Sequence, residues 1–205
     1  MATRLFTRGT TAPIGLTTGD KSTALPVGTD GGDFNQNLAL LRTNQATQTD
    51  YTYASLAQTA QQSAMIARHS SGELKAQTIN ANTWTLLFEG NESNGAANAF
   101  LAVSVYVWRP STSSVVGFIR DSATTLGVEF AGANQTVTFA GSAVTVQEGD
   151  ILVLEAWNVA TQAMATSYTI TWSVGRVGTN IDTYIETPQD LLFLSKEQVQ
   201  VFIID

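Results

Sequence analysis

The stretch VQEGDILVLEAW, Val146 to Trp157, decides how this chain is read. It holds three carboxylates, Glu148, Asp150 and Glu155, within eight residues. Two carboxylates facing each other across a sugar, roughly 5–10 Å apart, would make a glycosidic acid and base. The local pattern favours another use. Glu148-Gly149-Asp150 has the composition of a turn, and Ile151 to Trp157 is an apolar run of strand length. Asp150 is placed to bond nearby backbone N–H groups as an Asx-type cap. Glu155, with an apolar residue on either side, is a polar position on a strand face.

Working outward, the same grammar recurs. In YTITWSV, Tyr168, Ile170, Trp172 and Val174 alternate with Thr169, Thr171 and Ser173, the period-two signature of a half-buried strand. FLAVSVYVW sets Leu101, Val103, Val105 and Val107 on one face and Phe100, Ala102, Ser104, Tyr106 and Trp108 on the other. TINANTWTLLFEG, SVVGFIRD, TLGVEFAG, QTVTFAG, AVTVQEG and TYIETPQDLLFL add further strands, the last broken by Pro188. Turn residues separate them and no helix–strand alternation appears. The pattern predicts an all-β fold, an antiparallel jelly-roll-like β-sandwich over residues 75–193.

Residues 1–74 differ in character. Thr, Gly and Pro dominate the stretch from Thr7 to Asn37 without a sustained period, so this part is expected as an extended N-terminal arm. Two short helical segments are expected within it. One has Phe34, Leu38 and Leu41 at roughly helical spacing; the other runs from Asp50, as N-cap, through DYTYASLAQTAQQSAMIA. Residues 194–205 form a C-terminal extension in which Val199, Val201 and Ile203 alternate with Gln200, Phe202 and Ile204. Such a tail suits an added edge strand, on this sheet or a neighbour's.

Composition narrows the function. Charged residues make up 13% of the 205, against about 25% in ordinary soluble domains. The net charge of −7 is uneven: residues 1–75 carry six basic and five acidic side chains, residues 76–205 four and twelve. An acidic body argues against nucleic acid, which needs clustered Lys and Arg. No apolar run reaches membrane-spanning length, so no membrane partner is expected. The chain has no cysteine, which excludes disulfides and thiolate chemistry. The N-terminus lacks the apolar stretch of a signal peptide, placing synthesis in a cytoplasm.

Candidate chemistry is sparse. His69, the single histidine, lies beside serines and reads as a surface residue rather than a triad member or zinc ligand. Asp30, Asp33 and Asn35 offer oxygen ligands but lack EF-hand spacing, and a Gly-rich turn is the simpler reading. No phosphate-binding glycine loop is present. Trp84, Trp108, Trp157 and Trp172 raise the alternative of a carbohydrate-binding module stacking host glycans, although each sits in a strand-like run where core packing is the rule. No catalytic, metal or cofactor site is therefore expected, and the chain is expected not to be an enzyme.

Taken together, MATRLF, GSAVTVQEGDILVLEAW and YIETPQDLLF resemble the small structural proteins of tailed bacteriophages, in which a GD-x-LVLE strand entry is followed by a YIE strand and a closing LLF. The resemblance implies a virion protein assembled in the host cytoplasm, a homo-oligomer with the trimer favoured, whose partners are the major capsid protein and other virion components. Its best-fitting role is a capsid decoration, or cement, protein. A neck or tail accessory protein, in the collar or baseplate, is the alternative. Arg4, Phe6, Arg8, Phe34, Leu38 and Leu41 are the expected partner-binding residues on the arm.

Overall fold

In the computed structural model Ile151–Ala160 is a ten-residue strand, and Gly149 before it takes a φ of 88°, a turn conformation that favours glycine. The structure describes residues 2–14, 16, 37–43, 46–55, 62–121, 125–132, 134–160, 168–175 and 182–194. In chain order the strands are β1 Arg4–Thr11, β2 Asn37–Leu41, β3 Thr49–Ser55, β4 Gln62–Glu73, β5 Gln77–Ile79, β6 Asn82–Glu92, β7 Ala99–Arg109, β8 Ser114–Arg120, β9 Gln135–Gly141, β10 Val144–Val146, β11 Ile151–Ala160, β12 Tyr168–Val174 and β13 Tyr184–Glu186. The only helix among the described residues is the 3₁₀ turn Gly95–Ala97, whose cap Asn94 accepts the Ala96 N–H. It is far too short to cross a membrane.

Eleven strands form one sheet in the order β3-β12-β6-β13-β1-β2-β4-β11-β7-β8, with β9 on β6; β10 and β5 make a small second sheet. Among the named strands every ladder is antiparallel except that of β2 on β4, which is parallel. The sheet folds back on itself. β4 and β12 stand five places apart in the strand order, yet the Trp172 indole N–H donates to His69 Nε2 at 3.3 Å. Ile66, Val105 and Leu154 from one limb share a core with Leu86, Phe139 and Trp172 from the other. Each such apolar side chain contributes about 1.5–3 kcal/mol on burial. The all-β sandwich expected from the sequence is what forms.

Several expectations are corrected. The helix expected through Leu38 and Leu41 is the strand β2, and the one expected from Asp50 is the strand β3 followed, after residues outside the described set, by β4. Ser63 to Ser71 of β4 are all buried, on both faces. A strand covered on both sides shows no period-two alternation, and its apolar spacing then imitates a helix. TLGVEFAG forms no named strand; it makes only single bridges, Glu129 to Phe100 and Ala131 to Asn91.

The described part of residues 1–74 supplies β1 to β4, so it belongs to the sandwich and does not stand beside it as an arm. β1 is held between β13 and β2. Thr3 ties it to the far end of the chain: its N–H donates to Gln189 O at 3.1 Å, its hydroxyl donates to Asp190 at 2.8 Å, and that hydroxyl accepts the Leu191 N–H at 2.8 Å. Beyond β1 the chain crosses to the outer face of β4, β11, β7 and β8. There Ser70 Oγ donates to Ile14 O at 3.0 Å and Arg68 Nη2 to Leu16 O at 3.3 Å. Ile14 and Leu16 pack on Tyr106, Trp108, Ile151 and Val153. Of the C-terminal extension only Leu194 is described, its N–H bonded to Glu73 O at 2.9 Å.

Candidate functional site

Along β1 the side chains alternate. Leu5 and Thr7 are buried, Arg4 is exposed, and Phe6 and Arg8 are half-buried on the opposite face. Pairing carries this face across four strands. Leu87 of β6 lies opposite Tyr184 of β13, Tyr184 opposite Phe6, and Phe6 opposite Leu41 of β2. Directly opposed residues share a face, so these four make one cross-strand apolar row. Beside it runs a second row, Thr85, Glu186 and Arg4.

The rows are locked by specific contacts. The Phe6 and Tyr184 rings meet edge to face at 5.6 Å. The Arg4 guanidinium stands 4.9 Å from the Tyr184 ring centre and pairs with Glu186. The Glu186 hydrogen bond, then the charge interactions with Tyr184 and Glu186, hold the Arg4 pKa above its ordinary value. Arg8 Nη1 donates to Thr43 O at 2.8 Å and to Thr43 Oγ1 at 3.1 Å. Arg42 lies 3.6 Å from Asp190. Arg4, Arg8 and Arg42, three of the ten basic residues of an acidic chain, thus gather on β1 and around the end of β2. Leu87 is buried, and half-buried Phe6, Tyr184 and Leu41 leave an aromatic and aliphatic strip bordered by guanidinium groups, a surface suited to another protein.

Of the six residues expected to bind a partner, the structure brings Arg4, Phe6, Arg8 and Leu41 to this one region. Leu38 is buried at 4% exposure and stands off the surface. Phe34 lies outside the described residues, as do Asp30, Asp33 and Asn35 of the candidate turn. Tyr184, Glu186 and Leu87 were missed. The alternating Tyr184-Ile185-Glu186 around a buried isoleucine was the available signal, but pairing with β1 across the whole chain cannot be read locally.

The other candidates have partners of their own. Arg109 grips Asp150 with Nε and Nη2, both at 2.8 Å, and Asp150 Oδ2 accepts the Gln147 N–H at 2.8 Å, the expected local cap. Burial pushes the Asp150 pKa up, but the Arg109 hydrogen bond, the Gln147 N–H and the Arg109 charge outweigh it and hold it below the ordinary value. Glu155 is fully buried, accepting from the Tyr106 hydroxyl at 2.9 Å and the Trp157 indole at 3.2 Å. His69, expected at the surface, is fully buried in β4. The serines beside it are buried too, and Ser71 Oγ accepts the Leu152 N–H at 3.0 Å. All four tryptophans are buried, so none presents an open ring to a sugar. Among the described residues no group of three or more His, Cys, Asp or Glu is placed to hold a metal.

No family model matches the chain, and no curated protein matches it. Solved structures align at low similarity. An aminopeptidase from a marine-sediment Thaumarchaeota archaeon aligns with a TM-score of 0.46 and 12% identity, over 80% of this chain and 36% of that one. A CocE/NonD family hydrolase from Staphylococcus aureus gives 0.46 and 8%, over 94% and 37%. The infectious bursal disease virus Gx strain structure gives 0.31 and 10%, over 79% and 39%. This chain therefore spans well under half the length of these structures. With enzymes among them, the expectation that the chain is not an enzyme is withdrawn. At these scores the likenesses transfer neither an activity nor a partner.

Proposed function

We propose that this chain is a structural component of a virion, and specifically a capsid decoration protein of the tailed-bacteriophage kind that docks on the major capsid protein. The observation that carries this reading is the half-buried row Tyr184–Phe6–Leu41 with Arg4 and Arg8 beside it. Four of the six residues singled out as partner contacts converge there from separate stretches of the chain. The strip is built on central strands and so is presented rigidly, which lowers the entropic cost of docking. The low charge content and the sequence resemblance support the same reading.

The test is the copy number of this chain in purified particles, by quantitative mass spectrometry against the major capsid protein. A count on the scale of the capsomers supports decoration. A count matching a single portal ring moves the chain to the neck or tail, and absence from particles overturns the virion reading altogether.

A further inference from the structure

β9 pairs with β6 along its whole length, in unbroken register from Gln135 opposite Phe88 to Gly141 opposite Asn82. It has no second neighbour in the sheet. Alternate residues of an antiparallel pair turn their N–H and C=O groups away from the partner strand. Along β9 those outward groups make no backbone-to-backbone hydrogen bond among the described residues. Backbone groups left open in this way are satisfied by water or by another strand.

Folded proteins ordinarily protect such an edge by charge, by short length or by irregular register. The other outer strands follow that rule. β3 carries the exposed Asp50. β8 ends in Arg120 and shifts register twice against β7. β5 and β10 are three residues each. β9 has none of these devices: QTVTFAG holds no charge and no proline, and its ladder shows no shift. The strand is also complementary to itself. Laid antiparallel about a two-fold axis through Thr138, it sets buried Val137 opposite Phe139, and exposed Thr138 opposite Thr138 with Thr136 opposite Ala140. An aromatic ring against a β-branched residue and threonine against threonine are both favourable cross-strand pairs. The threonine row continues into β6, where Thr85 lies opposite Thr138. None of the paired residues is charged, which lets two chains of net charge −7 approach there.

We propose that β9 joins β9 of a second copy in an antiparallel two-fold pair, so that the sheet runs on through a homodimer. The occupant follows from the edge itself. A strand partner has to bring a free, uncharged edge of matching pattern, and every copy of this chain brings one. The pairing uses none of the strip residues on β1 and β13, so it holds whether or not the chain belongs to a virion. It also gives a dimer in place of the trimer that the sequence resemblance implies.

The absence of cysteine makes the test clean. Opposed residues of an antiparallel pair have Cα atoms roughly 4.5–5.5 Å apart, within disulfide range. T138C, oxidised and run without reductant, is expected to give a covalent dimer. T136C and A140C are expected to stay single chains when oxidised separately and to join when mixed. By light scattering the unmodified chain is expected at twice the mass of one chain. T138K, which opposes two lysines at the axis, is expected at the mass of one chain with an unchanged far-UV spectrum. A monomeric or trimeric mass for the unmodified chain overturns the pairing. So does T136C bridging to itself as fully as T138C, or a folded T138K that stays dimeric. Each of these results leaves the particle copy number, and with it the virion reading, to stand or fall separately.

Discussion

The Tyr106 hydroxyl donates to Glu155 across the β7–β11 ladder at 2.9 Å, with both side chains fully buried. A carboxylate in that position tolerates the loss of a donor poorly, because its desolvation has already been incurred. Tyr106→Phe should lower stability by about 1–3 kcal/mol, read as a shift in urea midpoint with unchanged slope. Adding Glu155→Gln should cost less in the Tyr106→Phe background than in the native one. Additive losses would show that the two groups do not act together.

His69 predicts an acid limb to the stability curve. Burial lowers its pKa to about 3, with a small opposing contribution from the Ala39 backbone. The Trp172 N–H bond also requires Nε2 to be unprotonated. The folded pKa lies below the unfolded value of about 6.5, so the unfolded state binds the extra proton in between. Stability is complete above about pH 6.5 and falls toward pH 3, approaching about 1.4 kcal/mol per pH unit. Between pH 6.5 and 5, before carboxylates titrate, His69→Gln should flatten this slope in chemical denaturation.

Asp150 acts lower on the pH scale. Its folded pKa is depressed beneath 3.8, so its contribution is present above the unfolded pKa and disappears as pH falls through the folded one. Asp150→Asn should therefore destabilise at pH 7 and lose its effect as the pH falls below 3.8 and through the depressed folded value, which paired denaturation curves would check.

Gly90 leaves no room for a side chain. A Cβ there would sit 2.7 Å from Phe130 Cδ1 and 2.9 Å from the Thr171 carbonyl. Gly90→Ala should cost about 1–3 kcal/mol by overpacking, seen as a lower Tm. Gly72→Ala, which meets nothing within 4 Å, is the control and should change little.

The contact strip can be tested without dismantling the fold. Arg4→Glu with Phe6→Ser should abolish association with particles while the far-UV spectrum stays unchanged. Undiminished binding would exclude the strip as the docking surface. Deleting residues 1–40 would be uninformative, since it removes β1 and most of β2 from the middle of the sheet.

How much of this was legible depended on what each strand faces. β9 and β12 were readable because one face meets the core while the other carries Thr136 and Thr138, or Thr169 and Thr171. β4 was opaque because Arg68, His69, Ser70 and Ser71 are polar yet fully buried, their hydrogen bonds replacing water. β1 hid for a related reason. Its inward position Thr7 is polar and satisfied by Thr183 O, while its outward position Phe6 is aromatic, so the inside-out contrast is blurred. The contact strip was half visible: Arg4, Phe6 and Arg8 alternate in plain sequence, but their neighbours Tyr184 and Glu186 come from the other end of the chain.

The Thr3 cluster also sets the order of events during synthesis. β1 emerges from the ribosome well before its β13 partner and the Gln189, Asp190 and Leu191 contacts of Thr3. Until then one edge of β1 has no ladder, and a non-local pairing of this span is slow to close. The nascent chain thus carries an open strand edge until β13 has followed. On a crowded polysome, a neighbouring nascent chain can reach that edge before the chain's own β13 arrives.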